Sequence, residues 1–170
     1  MPSQCECFVG GNWEMNGDKE SINNISTYVK KHLKNSDEVA VEECYKLQKG
    51  AFIREISFGM LNDLEIKQLQ AFIDLDVFFD NIVIAFEPVW DIKNGKTATS
   101  EQTQKTHLWI RKFLKKKVFS DAATKTRIIY DCSVTDDNCV ELGKKKDIDG
   151  FLVGGAFLKP EFLKIINTRN

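Results

Sequence analysis

Glu87 is the residue of this sequence best placed for acid-base chemistry. It ends the run Ile82-Val83-Ile84-Ala85-Phe86, a continuous apolar stretch of the kind that forms a parallel strand buried on both faces. Pro88 follows and cannot donate to a ladder, so the strand stops there and Glu87 sits at its C-terminal end. A carboxylate in that place reads either as a general base or as a solvated loop acid. Asn12, Ser133 and the pair Gly154-Gly155 also follow strand-like runs, and paired glycines there form either a turn or a cradle for phosphate. Redox and metal chemistry have less support. The cysteines Cys5, Cys7, Cys44, Cys132 and Cys139 are odd in number, and Cys5-Glu6-Cys7 is one residue short of a C-x-x-C knuckle, so they read as free thiols in a reducing compartment. His32 and His107 lie far apart in helical patterns and read as surface residues rather than ligands.

These positions need strands to hold them. Phe8 to Trp13 reads as a short strand, followed by a helix capped by Asp18 with Ile22, Ile25, Val29 and Leu33 on one face. Val39-Ala40-Val41 suits another strand, and Lys49-Gly50 reads as a turn. Ser57 to Phe79 is helical by composition, although its apolar residues surround the axis and leave no clean polar face. After the strand ending at Glu87, Thr99 and Gln102 predict a capping box for a helix burying Ile110, Phe113, Leu114 and Val118. Arg127 to Tyr130 predicts a strand, Asn138 to Lys146 a short helix and Phe151 to Val153 a further strand. Pro160 opens a terminal helix with Phe162, Leu163 and Ile166 inward. Strands alternating with helices predict an α/β fold with a parallel sheet, whose sites lie at the C-terminal strand ends.

Composition bounds the classes. The 170 residues are 42% hydrophobic and 29% charged, with 24 Lys+Arg against 25 Asp+Glu, which predicts a single globular domain over residues 1–170. A formal net charge of -1 provides no global attraction for nucleic acid or an anionic membrane, so neither is expected as a partner. No apolar run approaches the ~20 residues of a membrane span, and the first residues lack the pattern of a signal peptide. A cytoplasmic location is expected.

Several longer stretches resemble the triosephosphate isomerase family. Phe8-Val9-Gly10-Gly11-Asn12-Trp13-Glu14-Met15-Asn16-Gly17 resembles its first strand and loop, and Ile84 to Trp90 its sixth strand with the catalytic glutamate and lid hinge. Gly95-Lys96-Thr97-Ala98-Thr99 resembles the far side of the lid, Tyr130 to Val134 the seventh strand and Gly150 to Pro160 the eighth. The resemblance covers nearly everything except about residues 64 to 80. It implies a (β/α)8 barrel, typically of ~250 residues, so roughly 80 are absent here. Val39-Ala40-Val41 and Cys44-Tyr45-Lys46 resemble the third strand. The second, fourth and fifth strands have no counterpart, which predicts an incomplete barrel of about five parallel strands, the first pairing with the last. The sixth strand would lose one neighbour and expose Ile82 to Phe86 at an edge.

The resemblance also implies a mechanism: a glutamate base, a neutral histidine electrophile and a lid that excludes water. Glu87 matches the base, which moves a proton between two carbons of a triose phosphate through an enediolate. Asn12, Ser133, Gly154 and Gly155 match substrate- and phosphate-binding positions, and Trp90, Ile92, Lys93, Asn94, Gly95 and Lys96 the lid. No metal or organic cofactor is implied. A homodimer is, together with a role in glycolysis and gluconeogenesis. The histidine has no counterpart, because it belongs to the missing fourth strand. Glu14 stands where the family has a lysine. A charge at ~4 Å is worth up to ~4 kcal/mol at an effective dielectric of 20, so reversing its sign swings about twice that against a dianionic substrate. At ~1.4 kcal/mol per decade, that removes several orders of magnitude of rate. Lys93-Asn94 replaces Gly-Thr at the lid tip, and Asp131-Cys132 replaces a Gly-Gly pair.

Two readings follow. One is a triosephosphate isomerase by descent, with activity lost or very low. The other is a noncatalytic remnant that binds phosphate, a triose phosphate or a protein partner weakly.

Overall fold

Ile82, Val83 and Ile84 are β-branched and lie on both sides of an extended chain, so a strand there has no polar side to give to water. In the computed structural model, which describes residues 7–11, 24, 27, 50–55, 63–74, 82–88, 97–118 and 120–169, this run forms β3 (Val83–Pro88). Its companions are β1 (Phe8–Gly11), β2 (Gly50–Glu55), β4 (Arg127–Cys132) and β5 (Gly150–Val153). They form one sheet in the order β1-β5-β4-β3-β2, parallel at every pairing. The helices are α1 (Asp63–Asp74), α2 (Ser100–Lys117), α3 (Ser120–Lys125), α4 (Cys139–Gly143) and α5 (Phe162–Ile166), with 3-10 turns at Gly155–Leu158 and Asn167–Arg169. The fold is α/β and incomplete relative to an eight-stranded barrel.

Side chains alternate between two buried layers, as the period of two in a strand requires. Val9, Ile84, Phe86, Ile128, Tyr130, Phe151 and Val153 join Ile110 and Leu114 of α2 and Ile165 of α5 in the main core. Phe8, Val83, Ala85 and Ile129 form a smaller cluster with Leu152 on the other parity. β1 meets β5 through a close approach that excludes any side chain at Gly150. A Cβ there would lie 1.7 Å from the Phe8 carbonyl oxygen, a backbone atom that cannot step aside.

The capping box is present: the Thr99 hydroxyl accepts from the Gln102 N–H at 3.2 Å and the Gln102 side chain accepts from the Thr99 N–H at 2.7 Å. Such a cap is worth about 1 kcal/mol. α2 buries Ile110 and Leu114 fully, with Phe113 and Val118 partly buried against the same core. It also carries a polar group inward. Arg111 bonds the carbonyls of Ala123 (2.9 Å) and Thr126 (3.3 Å) and pairs with Asp147 (3.1 Å) and with the fully buried Asp149. Asp149 in turn accepts from the Ile128 N–H at 2.7 Å, which ties α2 to the N-terminal ends of β4 and β5.

Several expectations need correction. His107 is not a surface residue: it is 0% exposed, set edge-on to the Phe86 ring at 5.7 Å with Nδ1 3.1 Å from the Asp147 carbonyl. Only a donor can face that oxygen, so Nδ1 carries the proton. Burial pushes its pKa down to about 3, with the Arg111 charge acting in the same direction and the Asp147 bond opposing. Gly50 begins a strand rather than closing a turn, because β2 gains a full ladder with β3 from Gly50↔Val83 to Glu55↔Pro88. β3 therefore has neighbours on both sides, and Ile82 to Phe86 are all buried instead of lining an edge. α1 is one-sided: Leu69 is buried and Ile73 partly so, whereas Ile66, Lys67, Ala71 and Asp74 face outward. In α5 it is Ile165 that is fully buried, with Leu163 only half-buried. α4 is shorter than expected, ending at Gly143.

Of the first predicted helix, Asn24 and Thr27 are described. Both are helical and exposed, on the side opposite the stripe of Ile22, Ile25, Val29 and Leu33. Those four residues, and the stretches Val39-Ala40-Val41 and Cys44-Tyr45-Lys46, lie outside the described residues, as does His32.

Candidate functional site

Parallel pairing brings the C-terminal ends of β3, β4 and β5 to one rim of the sheet. Phe86 is the register partner of Tyr130, Tyr130 of Phe151 and Cys132 of Val153. Continuing each ladder by one residue sets Glu87 level with Asp131 and Ser133 level with Gly154. Adjacent strands lie about 4.8 Å apart, so these residues share one small region. Glu87 follows Val83 and Ala85 by steps of two and belongs to their side of the sheet, the side opposite the α2 packing. It is half-buried, and its Oε2 is shielded from solvent.

The loops after β4 and β5 are each held by an identifiable contact. Asn138 fixes the one after β4: its Nδ2 donates to the Ser133 carbonyl at 2.8 Å and its Oδ1 accepts from the Thr135 N–H at 2.9 Å. Ser133 itself is exposed. After β5, the Gly154 carbonyl accepts from the Phe157 N–H at 3.0 Å, and the buried Phe157 ring stands edge-on to Phe162 at 4.7 Å. Phe157 also presses on the end of β1, where a Cβ on Gly11 would lie 2.2 Å from its ring. Gly154 and Gly155 are different. A Cβ on either would meet nothing within 4 Å, and neither has a left-handed backbone, so packing does not require glycine there. What these glycines leave is uncovered main chain beside Ser133.

Two further residues lie at this rim: Asp131, which the sequence marks as standing in place of a family glycine, and Arg54, which it does not mark as part of a site. Asp131 sits beside Glu87 in register and adds a second carboxylate on the same side of the sheet. Arg54 is the register partner of Glu87 on β2. In the sequence Lys49-Gly50 reads as a turn, and the apolar Ala51-Phe52-Ile53 just before Arg54 is the one local signal of a strand there. Asn12, Glu14, and the lid residues Trp90, Ile92, Lys93, Asn94, Gly95 and Lys96 lie outside the described residues.

A family model described as triosephosphate isomerase matches residues 66–169. That is more than half of the chain. The chain belongs to the triosephosphate isomerase family. The matched span carries Glu87, Ser133, Gly154 and Gly155 and starts inside the stretch around residues 64 to 80 where no resemblance was found. Asn12 and Glu14 precede it. Membership accounts for the rim geometry, since barrel enzymes place their sites at the C-terminal ends of strands, with phosphate loops after the last two. His107 has no place at that rim. The bond to Asp147 holds it near the N-terminal ends of β4 and β5, and no described helix is long and apolar enough to cross a membrane.

Proposed function

We propose that this chain keeps the base and phosphate loops of a triosephosphate isomerase site without the electrophile, so that it binds triose phosphate or inorganic phosphate weakly and turns the sugar over at or near the background rate. The observation that carries this reading is the division of the titratable groups. Glu87, Ser133 and Gly154-Gly155 share one rim, whereas His107, the one histidine among the described residues, is fully buried and committed to the Asp147 carbonyl. Glu87 would take the proton from the carbon next to the carbonyl. The negative charge then develops on the carbonyl oxygen, where a neutral imidazole and a lysine normally stabilise it. Glu14 in place of that lysine and Asp131 beside Glu87 both add negative charge instead. The cytoplasmic, glycolytic and dimeric character of the family belongs to the same proposal.

A coupled isomerase assay on the purified full chain tests it. Turnover of glyceraldehyde 3-phosphate should not rise above the buffer control, and a rate within a hundredfold of a full-length family member would overturn the reading. Glu14→Lys alone should not restore activity, because catalytic groups act as a unit. Recovery would mean that another group polarises the carbonyl. Amide NMR shifts at Ser133, Gly154 and Gly155 on adding phosphate are expected. None at tens of millimolar would remove the binding half of the proposal.

A further inference from the structure

The strongest segregation of charge in the molecule lies on α2. From Gln102 to Ser120 the chain carries Lys105, Arg111, Lys112, Lys115, Lys116 and Lys117 with no Asp or Glu, which is a charge of +6; against the whole-chain value of -1, the other residues carry a net -7. Arg111 turns inward and is neutralised by Asp147 and Asp149. The five lysines are exposed, and none forms an ion pair among the described residues. At roughly 100° per residue, Lys105, Leu108, Lys112, Lys115 and Lys116 fall within one arc of the helix, with Trp109 at its border; Glu101 lies on the same arc at the N-terminal end of the helix, where it is paired with Lys145. Leu108 is 36% exposed, and the Lys112 ammonium lies 5.2 Å from the centroid of the Trp109 ring.

We propose that this face of α2 docks on an anionic lipid surface. Charge complementarity selects an anionic partner, since the acidic remainder of the chain is repelled while the lysine face is attracted, which orients the molecule. Leu108 and Trp109 select lipid among anions. With Leu108 inside the lysine arc and Trp109 at its border, they reach headgroup depth while the lysine stems lie alongside and their ammonium groups stay in water. A row of nucleic-acid phosphates offers Leu108 nothing. The near-neutral charge of the whole chain is the sum of this basic stretch and an acidic remainder.

Co-sedimentation of the full chain with vesicles tests the proposal. Each lysine near such a surface adds about fivefold to partitioning, so binding to phosphatidylcholine vesicles containing phosphatidylserine should fall about a hundredfold in the triple variant Lys112→Ala, Lys115→Ala, Lys116→Ala. It should also weaken steeply with salt and be absent with phosphatidylcholine alone. These last two arms use the unmodified chain and need no variant to fold. Equal binding to both vesicle types, no binding to the anionic ones, or a variant that binds as well as the parent would overturn the proposal. Duplex DNA and single-stranded RNA run in parallel should bind more weakly than the anionic vesicles, and tighter binding to either would reassign the face to nucleic acid.

Discussion

At the scale of single residues, the buried charges of the chain hold its elements together. Arg111 donates to three carbonyls, those of Ala123, Thr126 and Asp147, and pairs with two carboxylates, of which Asp149 is fully buried and Asp147 is 13% exposed. Removing one partner of a buried pair leaves the other charge uncompensated, typically at 3–5 kcal/mol. Asp149→Ala should therefore cost about that much in urea unfolding, and Asp147→Ala clearly less, because water reaches it. Equal losses would refute the assignment. His107 sets a pH window. Above pH 6.5 it is neutral in both folded and unfolded chains. Between 6.5 and about 3 the unfolded chain takes a proton that the folded chain refuses, so stability falls as pH drops through that range. By pH 5 this amounts to about 2 kcal/mol. The stability gap between the parent and His107→Asn should shrink by that amount from pH 7 to pH 5, and an unchanged gap would show that His107 does not titrate this way. Neither burial was legible in the sequence, since a lone histidine on a lysine-rich helix reads as solvated. The groups that meet the two side chains inside, the Asp147 carbonyl for His107 and the Asp149 carboxylate for Arg111, come some 40 residues later.

At the scale of elements, what could be read depended on whether the signal was local. The Thr99-Gln102 box, the apolar run of β3 and the Gly154-Gly155 break after β5 are carried by neighbouring residues, and all three stand where their patterns put them. β2 is nearly the opposite case, its one local signal being the short apolar run Ala51-Phe52-Ile53. Gly50 and Glu55 are poor strand formers, and what makes Gly50–Glu55 extend is pairing with β3, which lies some thirty residues further on. Gly150 lies between the two cases: its type was visible, but the reason for it was the carbonyl of Phe8 at the far end of the chain. Gly150→Ala should thus part β1 from β5, costing at least the 1–3 kcal/mol usual for overpacking, with faster amide exchange at Phe8 to Gly11. Gly155→Ala, with open space around its Cβ, should change stability by less than about 0.5 kcal/mol. Comparable losses in the two variants would mean that the close approach does not govern the β1 pairing.

At the scale of the whole molecule, the issue is how five parallel strands end. Eight strands close because tilt and stagger let the last meet the first, and closure removes every edge. Here the order runs from β1 to β2, and among the described strands each of these two has a single partner, β5 and β3 respectively. The expected weakness at Ile82 to Phe86 is therefore displaced: that strand is interior and buried, and among the described strands the edges fall on β1 and β2. Edge strands act as templates for other chains, and neither β1 nor β2 carries a proline to blunt it. Both buried layers cross the sheet, so opening one edge uncovers apolar residues on two faces at once. Heating should give a transition in circular dichroism that is accompanied by light scattering and falls in temperature as protein concentration rises, because the opened edge is captured by a second chain before it recloses. A reversible, cooperative and monomeric transition above about 60 °C, in the upper part of the mesophile range, would show instead that the five strands are protected as well as a closed barrel protects eight.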